Sequence, residues 1–176
     1  YGLEVVSIPT RERVPMTRLA DKVFDTKETK YAAIVDDIIK MAKDRLSADG
    51  TLQMPPVLVG TASIEDTKLL TDMLKEKLAA EPELKGLSIQ QLTGNEKLDG
   101  ASQAEMIKKA GNPCVITVSH VAGRGTDIEL KLFDSLMERL DKVEGLHVIG
   151  AERSSSSRVD MQLTGRTARF STQLKR

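Results

Sequence analysis

An open α/β sheet of parallel strands with helices on both faces is predicted by three observations. Short apolar runs rich in β-branched residues recur along the chain, segments with helical apolar spacing separate them, and the connections are short. Strands covered on both faces read as unbroken apolar runs rather than as alternating ones, and "PVLVGT" (56–61) has that form.

In chain order, "LEVVSIP" (3–9) is the first strand candidate. A helix follows at 27–46, where Ala33, Ile34, Ile38, Met41 and Leu46 keep helical spacing before a polar loop and Pro55–Pro56. After the strand at 56–61, a helix spans 63–80, with Ser63 as its cap and Asp66 three residues on. "LSIQQL" (87–92) is a strand, 102–111 a helix ended by Gly111, and "CVITVSH" (114–120) a strand. A helix at 130–145, a strand "LHVIG" (146–150) and a last helix at 157–169 complete the order. The four serines Ser154–Ser157 fit a helix start, with Ser157 and Asp160 as a capping box; their hydroxyls would also suit a phosphate there.

Length and composition fit one domain over 1–176 with an aliphatic core, since 40% of the residues are hydrophobic but only three are Phe, two Tyr and none Trp. Lys plus Arg equals Asp plus Glu at 26 each, so the chain as a whole has no electrostatic footprint for nucleic acid. Cys114 stands alone at the head of an apolar run and reads as a buried, inert thiol in a reducing compartment. With His120 and His147 apart from it, no metal-ligand spacing appears, and the expected metal set is none. No apolar run approaches the roughly 18–20 residues of a spanning helix. The chain opens at Tyr1 within a strand-like run, which reads as a piece cut from a longer protein.

Ligands of open parallel sheets sit outside the carboxyl ends of the strands. Three polar loops leave such ends: "GTASIED" (60–66), "AGRGTDI" (122–128) and "GAERSSSSRVD" (150–160). In the second, Gly123 and Gly125 permit close backbone approach while Arg124 projects a five-donor guanidinium. Asp127 cannot bind phosphate; it suits a ribose hydroxyl, an amine or a partner arginine. In the last helix, Gln162, Arg166 and Arg169 stand at i, i+4 and i+7, on one face, with Val159 and Leu163 on the adjacent apolar face. Such arginines serve either as a solvated basic face or as an anion site shared with another domain. Gly165, which removes a side chain beside them, favours the second. The chain has no G-x-x-x-x-G-K-[ST] and no acidic cluster at a strand end, so it lacks the usual cradle for a triphosphate and magnesium. Arginines without that cradle suit a domain that completes a site begun elsewhere.

On "VLVGTASIE", "AGRGTDI", "GLHVIGAER" and the Q-x-x-G-R-x-x-R spacing of Gln162–Arg169, nearly the whole chain resembles the second RecA-like nucleotide-binding domain of the SecA preprotein translocase ATPases. It departs from that pattern at Ser154–Ser157, where the family carries a charged cluster, at Thr164, which replaces an arginine, and at Phe170–Ser171. The resemblance implies ATP, as Mg-ATP bound mainly through a first nucleotide-binding domain, with Arg124, Arg166 and Arg169 reaching its phosphates. It also implies Gly123, Gly125, Asp127 and Gln162 at the nucleotide side. Preprotein, the SecYEG channel and the anionic inner membrane are the implied partners, through other domains, with the parent cytoplasmic and peripheral at the inner membrane. A superfamily 2 nucleic-acid helicase domain shares the arginine motif, but it usually carries His where Gln162 or its neighbour stands and a more basic surface. A degenerate binding or regulatory module is the third reading.

Overall fold

The computed structural model describes residues 17–93, 100–121, 128, 145–154 and 156–166. The expected strand at 3–9 and nearly all of the expected helix at 130–145 lie outside the described residues.

Helix α1 spans Lys27–Lys43 and opens on a reciprocal cap: Thr26 Oγ1 accepts from the Thr29 N–H at 3.2 Å, and Thr29 Oγ1 accepts from the Thr26 N–H at 3.3 Å. Its buried residues Tyr31, Ile34, Val35, Ile38, Ile39 and Ala42 follow the i, i+3, i+4 rule. Ala33 and Met41, expected on this stripe, lie half-buried at its margins. Leu46 falls beyond the helix end, in an antiparallel bridge with Leu52.

Strand β1 (Val57–Gly60) is buried along its whole length. Helix α2 (Ile64–Ala79) follows, and Ser63 caps it as expected, its Oγ accepting from the Asp66 N–H at 3.0 Å. A 3-10 turn at Pro82–Leu84 leads to β2 (Ser88–Leu92), α3 (Gly100–Ala110) and β3 (Val115–Ser119). Strand β4 (His147–Gly150) and helix α4 (Ser157–Thr164) complete the described elements.

The four strands are all parallel and stand in the order β2-β3-β1-β4. Side chains alternate across the sheet and divide the core in two. Val57, Val59, Ile116 and Val118 join Tyr31, Ile38, Leu70 and Leu74 on the α1–α2 face. Leu58 joins Ala110, Ile128 and Leu146 on the other, with Ile107 of α3, Val148 and Leu163 of α4 packed against them. Each such aliphatic side chain, fully buried, contributes roughly 1.5–3 kcal/mol relative to an exposed one. The fold is therefore the α/β, RecA-like type, with helices on both faces. No described helix is long and apolar enough to cross a membrane.

Cys114 joins α3 to β3 at φ 60°, the left-handed region that non-glycine residues seldom adopt. Its backbone is held on both sides: the N–H donates to Met54 O and the carbonyl accepts from the Ser88 N–H, each at 2.9 Å. The thiol is half-buried and donates to Leu52 O at 3.4 Å, and burial pushes its pKa up. That environment agrees with an unreactive thiol.

Candidate functional site

The strand register brings four residues to one end of the sheet. Leu92 pairs with Ser119, Ser119 with Gly60, and Gly60 with Gly150. Backbone bonds continue the ladder just past that end. Thr61 N–H donates to Ser119 O at 3.0 Å and Ala151 N–H to Gly60 O at 2.8 Å. Ser119 Oγ donates to Leu92 O at 2.7 Å and accepts from the Val121 N–H at 3.1 Å, so the chain leaving β3 is fixed at its first bend.

The helices that follow the neighbouring strands β1 and β4 pack on opposite faces of the sheet, α2 beside α1 and α4 beneath Leu58. In open α/β sheets, the carboxyl ends of strands whose helices diverge in this way are the place where ligands bind. Leu163 lies against that end of β1 and β4. A Cβ built on Gly60 would lie 2.7 Å from Leu163 Cδ2, and one on Gly150 3.7 Å, so α4 approaches β1 only because residue 60 has no side chain.

Ion pairs tie this rim to the start of α1. Lys27 pairs with Asp66, the buried carboxylate in the first turn of α2, and Lys30 pairs with Glu152 at 2.8 Å. Tyr31, fully buried, lies beneath both ammonium groups, its ring centre 5.8 Å from Lys27 Nζ and 5.1 Å from Lys30 Nζ. Burial raises the Asp66 pKa, but the Lys27 ammonium and the Ser63 hydroxyl outweigh it and hold the carboxyl below its ordinary range. Burial, with the Asp66 charge beside it, pushes the Tyr31 hydroxyl well above the usual phenol range. A hydroxyl ladder runs inward from the rim: Thr61 and Thr67 share a 2.7 Å bond, Thr67 Oγ1 donates to Ser63 O at 2.9 Å, and Thr71 Oγ1 to Thr67 O at 2.7 Å.

In the loop after β4, Arg153 Nε donates to Asp21 Oδ2 at 3.1 Å, and its Nη1 lies 3.5 Å from Asp160 Oδ2. The Asp21 hydrogen bond raises the Arg153 pKa, and the guanidinium in turn lowers that of Asp21. Asp160 Oδ1 accepts from the Ser154 N–H at 2.8 Å. This overturns the capping box expected of Ser157. The cap position is Ser156, which makes no side-chain cap bond, and Asp160 braces the preceding loop instead.

Of the residues expected to carry function, Gly123, Arg124, Gly125, Asp127 and Arg169 lie outside the described residues. Gln162 is exposed, whereas Arg166 is only 5% exposed. The two therefore do not share one solvated face. The physical reason is the end of α4 at Thr164: Gly165 is its C-cap, and the Arg166 N–H turns back to Leu163 O at 3.2 Å. Val159 and Leu163 are half-buried, and Leu163 packs on the core as expected. Sequence reasoning missed Lys27, Lys30, Glu152 and Asp21. No spacing joins them to Asp66 or Arg153; the only local signal is two lysines shortly before an aromatic at the start of an amphipathic helix.

The described rim is thus neutralised rather than open to anions. Lys27, Lys30 and Arg153 each face a carboxylate. Among the described residues, no three His, Cys, Asp or Glu side chains cluster to hold a metal.

Comparison with known proteins agrees with this architecture. A family model described as the SecA P-loop domain matches residues 15–139. The chain is 42% identical over 171 residues to protein translocase subunit SecA 2 of Clostridioides difficile (strain 630), covering 96% of this chain and 19% of that protein. It is 40% identical over 171 residues to protein translocase subunit SecA of Halothermothrix orenii, covering 96% of this chain and 17% of that one. With protein translocase subunit SecA of Porphyromonas gingivalis the identity is 36% over 170 residues, covering 96% and 13%. The chain spans less than a fifth of the length of these relatives.

Proposed function

The chain belongs to the SecA family of protein translocase subunits, and from that premise we propose that it is the second RecA-like nucleotide-binding domain of a translocase motor. On this reading residues 1–176 close on Mg-ATP held mainly by a first nucleotide-binding domain elsewhere in the parent. One observation carries the reading: Arg166 lies nearly buried just past α4, whose Leu163 is seated on Gly60 at the carboxyl end of the inner strand β1. A guanidinium that nears a phosphate from a nearly buried position would stabilise charge developing in a transition state.

Arg166, Arg169 and Arg124 are the residues that would meet the phosphates, with Gly123, Gly125, Asp127 and Gln162 on the nucleotide side. Bound ATP would supply a γ-phosphoryl group for transfer to water, and these arginines would offset the negative charge that develops on it. The sequence has no phosphate-cradling lysine of its own, so the 176-residue chain alone should show no appreciable ATP turnover. In the parent, hydrolysis would drive preprotein export, with the SecYEG channel and anionic inner membrane engaged through other domains and the protein cytoplasmic and membrane-peripheral. Nucleic acid is not an expected partner. The names of the relatives favour this over a helicase domain, since all three are translocase subunits.

The test is made in the intact translocase. An arginine finger is worth about 10³–10⁵ in rate, roughly 4–7 kcal/mol, and acts mainly in the transition state. Arg166→Ala or Arg169→Ala should therefore abolish preprotein-stimulated hydrolysis, while ATP binding stays within about tenfold, near 1.4 kcal/mol. Lysine should rescue poorly, because a point charge does not reproduce the guanidinium fork. Arg124→Ala should be similar or milder. Near-normal hydrolysis by a folded Arg166→Ala or Arg169→Ala translocase would refute the assignment.

A further inference from the structure

We propose that residues 17–23 form an electrostatic strap, a detachable segment tied between α1 and the loop after β4 by Asp21–Arg153 and Lys22–Asp37. Both ties are to exposed side chains: Lys22 Nζ meets Asp37 Oδ2 at 2.6 Å, and Arg153 is half-exposed where it meets Asp21. The apolar residues of the segment contribute nothing to holding it. Leu19 is 73% exposed and Val23 96%, and every residue from 17 to 23 is exposed. Phe24, half-buried, marks where the chain joins the body before the Thr26 cap of α1.

Such a segment differs from ordinary loop structure in what releases it. Apolar anchoring strengthens with salt, whereas exposed ion pairs weaken with it. Arg153 also braces the start of α4 through Asp160, so the strap and α4 share one guanidinium. Displacing the chain ahead of α1 would then act directly on the loop between β4 and α4. The strap would exist whether or not the domain meets a nucleotide.

Chymotrypsin cleavage after Leu19, read by mass spectrometry on the 176-residue chain, measures how often the strap opens. When reclosing is faster than cleavage, the rate follows the open population. Exposed pairs of this kind shift such populations about two- to fivefold. Arg153→Glu should therefore speed cleavage about two- to fivefold in 0.05 M salt, while Arg153→Lys, which keeps the charge, stays within about twofold of the parent. Lys109→Glu, which breaks an exposed pair on α3, should leave the rate unchanged. Raising salt to 0.5 M should speed cleavage of the parent chain more than that of Arg153→Glu, which keeps only the Lys22–Asp37 tie, each rate normalised to a free peptide of the same segment. A rate unaffected by Arg153→Glu overturns the strap, as does equal acceleration by Arg153→Lys. Cleavage after the buried Leu74 rising in parallel also overturns it, because opening would then be global.

Discussion

Replacing Gly60 by alanine tests whether the seating of α4 on β1 depends on a missing side chain. The new Cβ would lie 2.7 Å from Leu163 Cδ2 and 3.3 Å from Cδ1, against about 3.5–4.0 Å for unstrained carbon contacts. Overpacking of this kind costs about 1–3 kcal/mol, and about 1.5 kcal/mol applies because the obstructing atoms are the tip of a half-buried leucine. Alanine also restricts the unfolded chain, which stabilises by about 0.4–1 kcal/mol. The net expectation is a loss of about 1 kcal/mol. In a Leu163→Ala background, itself destabilised by about 2 kcal/mol, the obstruction is gone while the unfolded-state term remains. There Gly60→Ala should stabilise by about 0.5 kcal/mol, a reversal of sign. Urea unfolding of the four proteins, with unchanged slopes confirming two-state behaviour, gives the cycle. A coupling near 1.5 kcal/mol is expected, and agreement with additivity within about 0.5 kcal/mol would refute the close approach.

Other expectations follow from the rim and the core. Asp66 has a depressed folded pKa, so the stability its charge supplies is full above the unfolded carboxyl pKa, about 3.9, and is lost as pH falls through the folded value. Asp66→Asn should thus be less stable than the parent at pH 7, with the gap closing below about pH 4; a gap constant from pH 7 to 2.5 in urea titrations would contradict this. Arg166→Ala should lower stability by about 1–3 kcal/mol because the residue is buried, whereas Gln162→Ala should stay within about 0.5 kcal/mol. Equal midpoints for the two variants would mean that Arg166 is not held as described. Cys114 should react with a disulfide reagent at pH 8 at least about tenfold more slowly in the folded chain than in urea, given its raised pKa and half-buried Sγ.

Much of this architecture was legible in the sequence, for definable reasons. Burial of four consecutive residues in Val57–Gly60 and the helical repeat through Tyr31–Ala42 are local patterns, and local patterns survive into the fold. Ser63 is legible as a cap because it directly precedes the helical repeat with Asp66 three residues on. Among Ser154–Ser157 no such choice exists, and Asp160 was drawn to the Ser154 N–H by a loop bend that no spacing records. The 3.6-residue spacing places Gly165 inside a helix, but it is the C-cap at φ −62°, where an added Cβ would lie 2.9 Å from Met161 O. Whether Arg166 faces solvent or protein depends on where the chain turns after Thr164. The pairings Lys27–Asp66 and Lys30–Glu152 join residues far apart in the chain, so only the sheet order brings them together.

The position of β1 between β3 and β4 also bears on how the chain acquires its fold. Val57 must wait for Ile116 on one side and for His147, about 90 residues onward, on the other. At a synthesis rate of roughly 5–20 residues per second, that interval lasts on the order of 5–20 s on the ribosome. During it the flank of β1 that β4 will cover has no partner from β4, and Leu58 and Gly60 await Leu163. Long-range pairings of this kind slow folding more than local helices do. The carboxyl rim is thus among the last parts of the domain to form, and slow stretches of translation before residue 147 would prolong its exposure to chaperones and to misassociation.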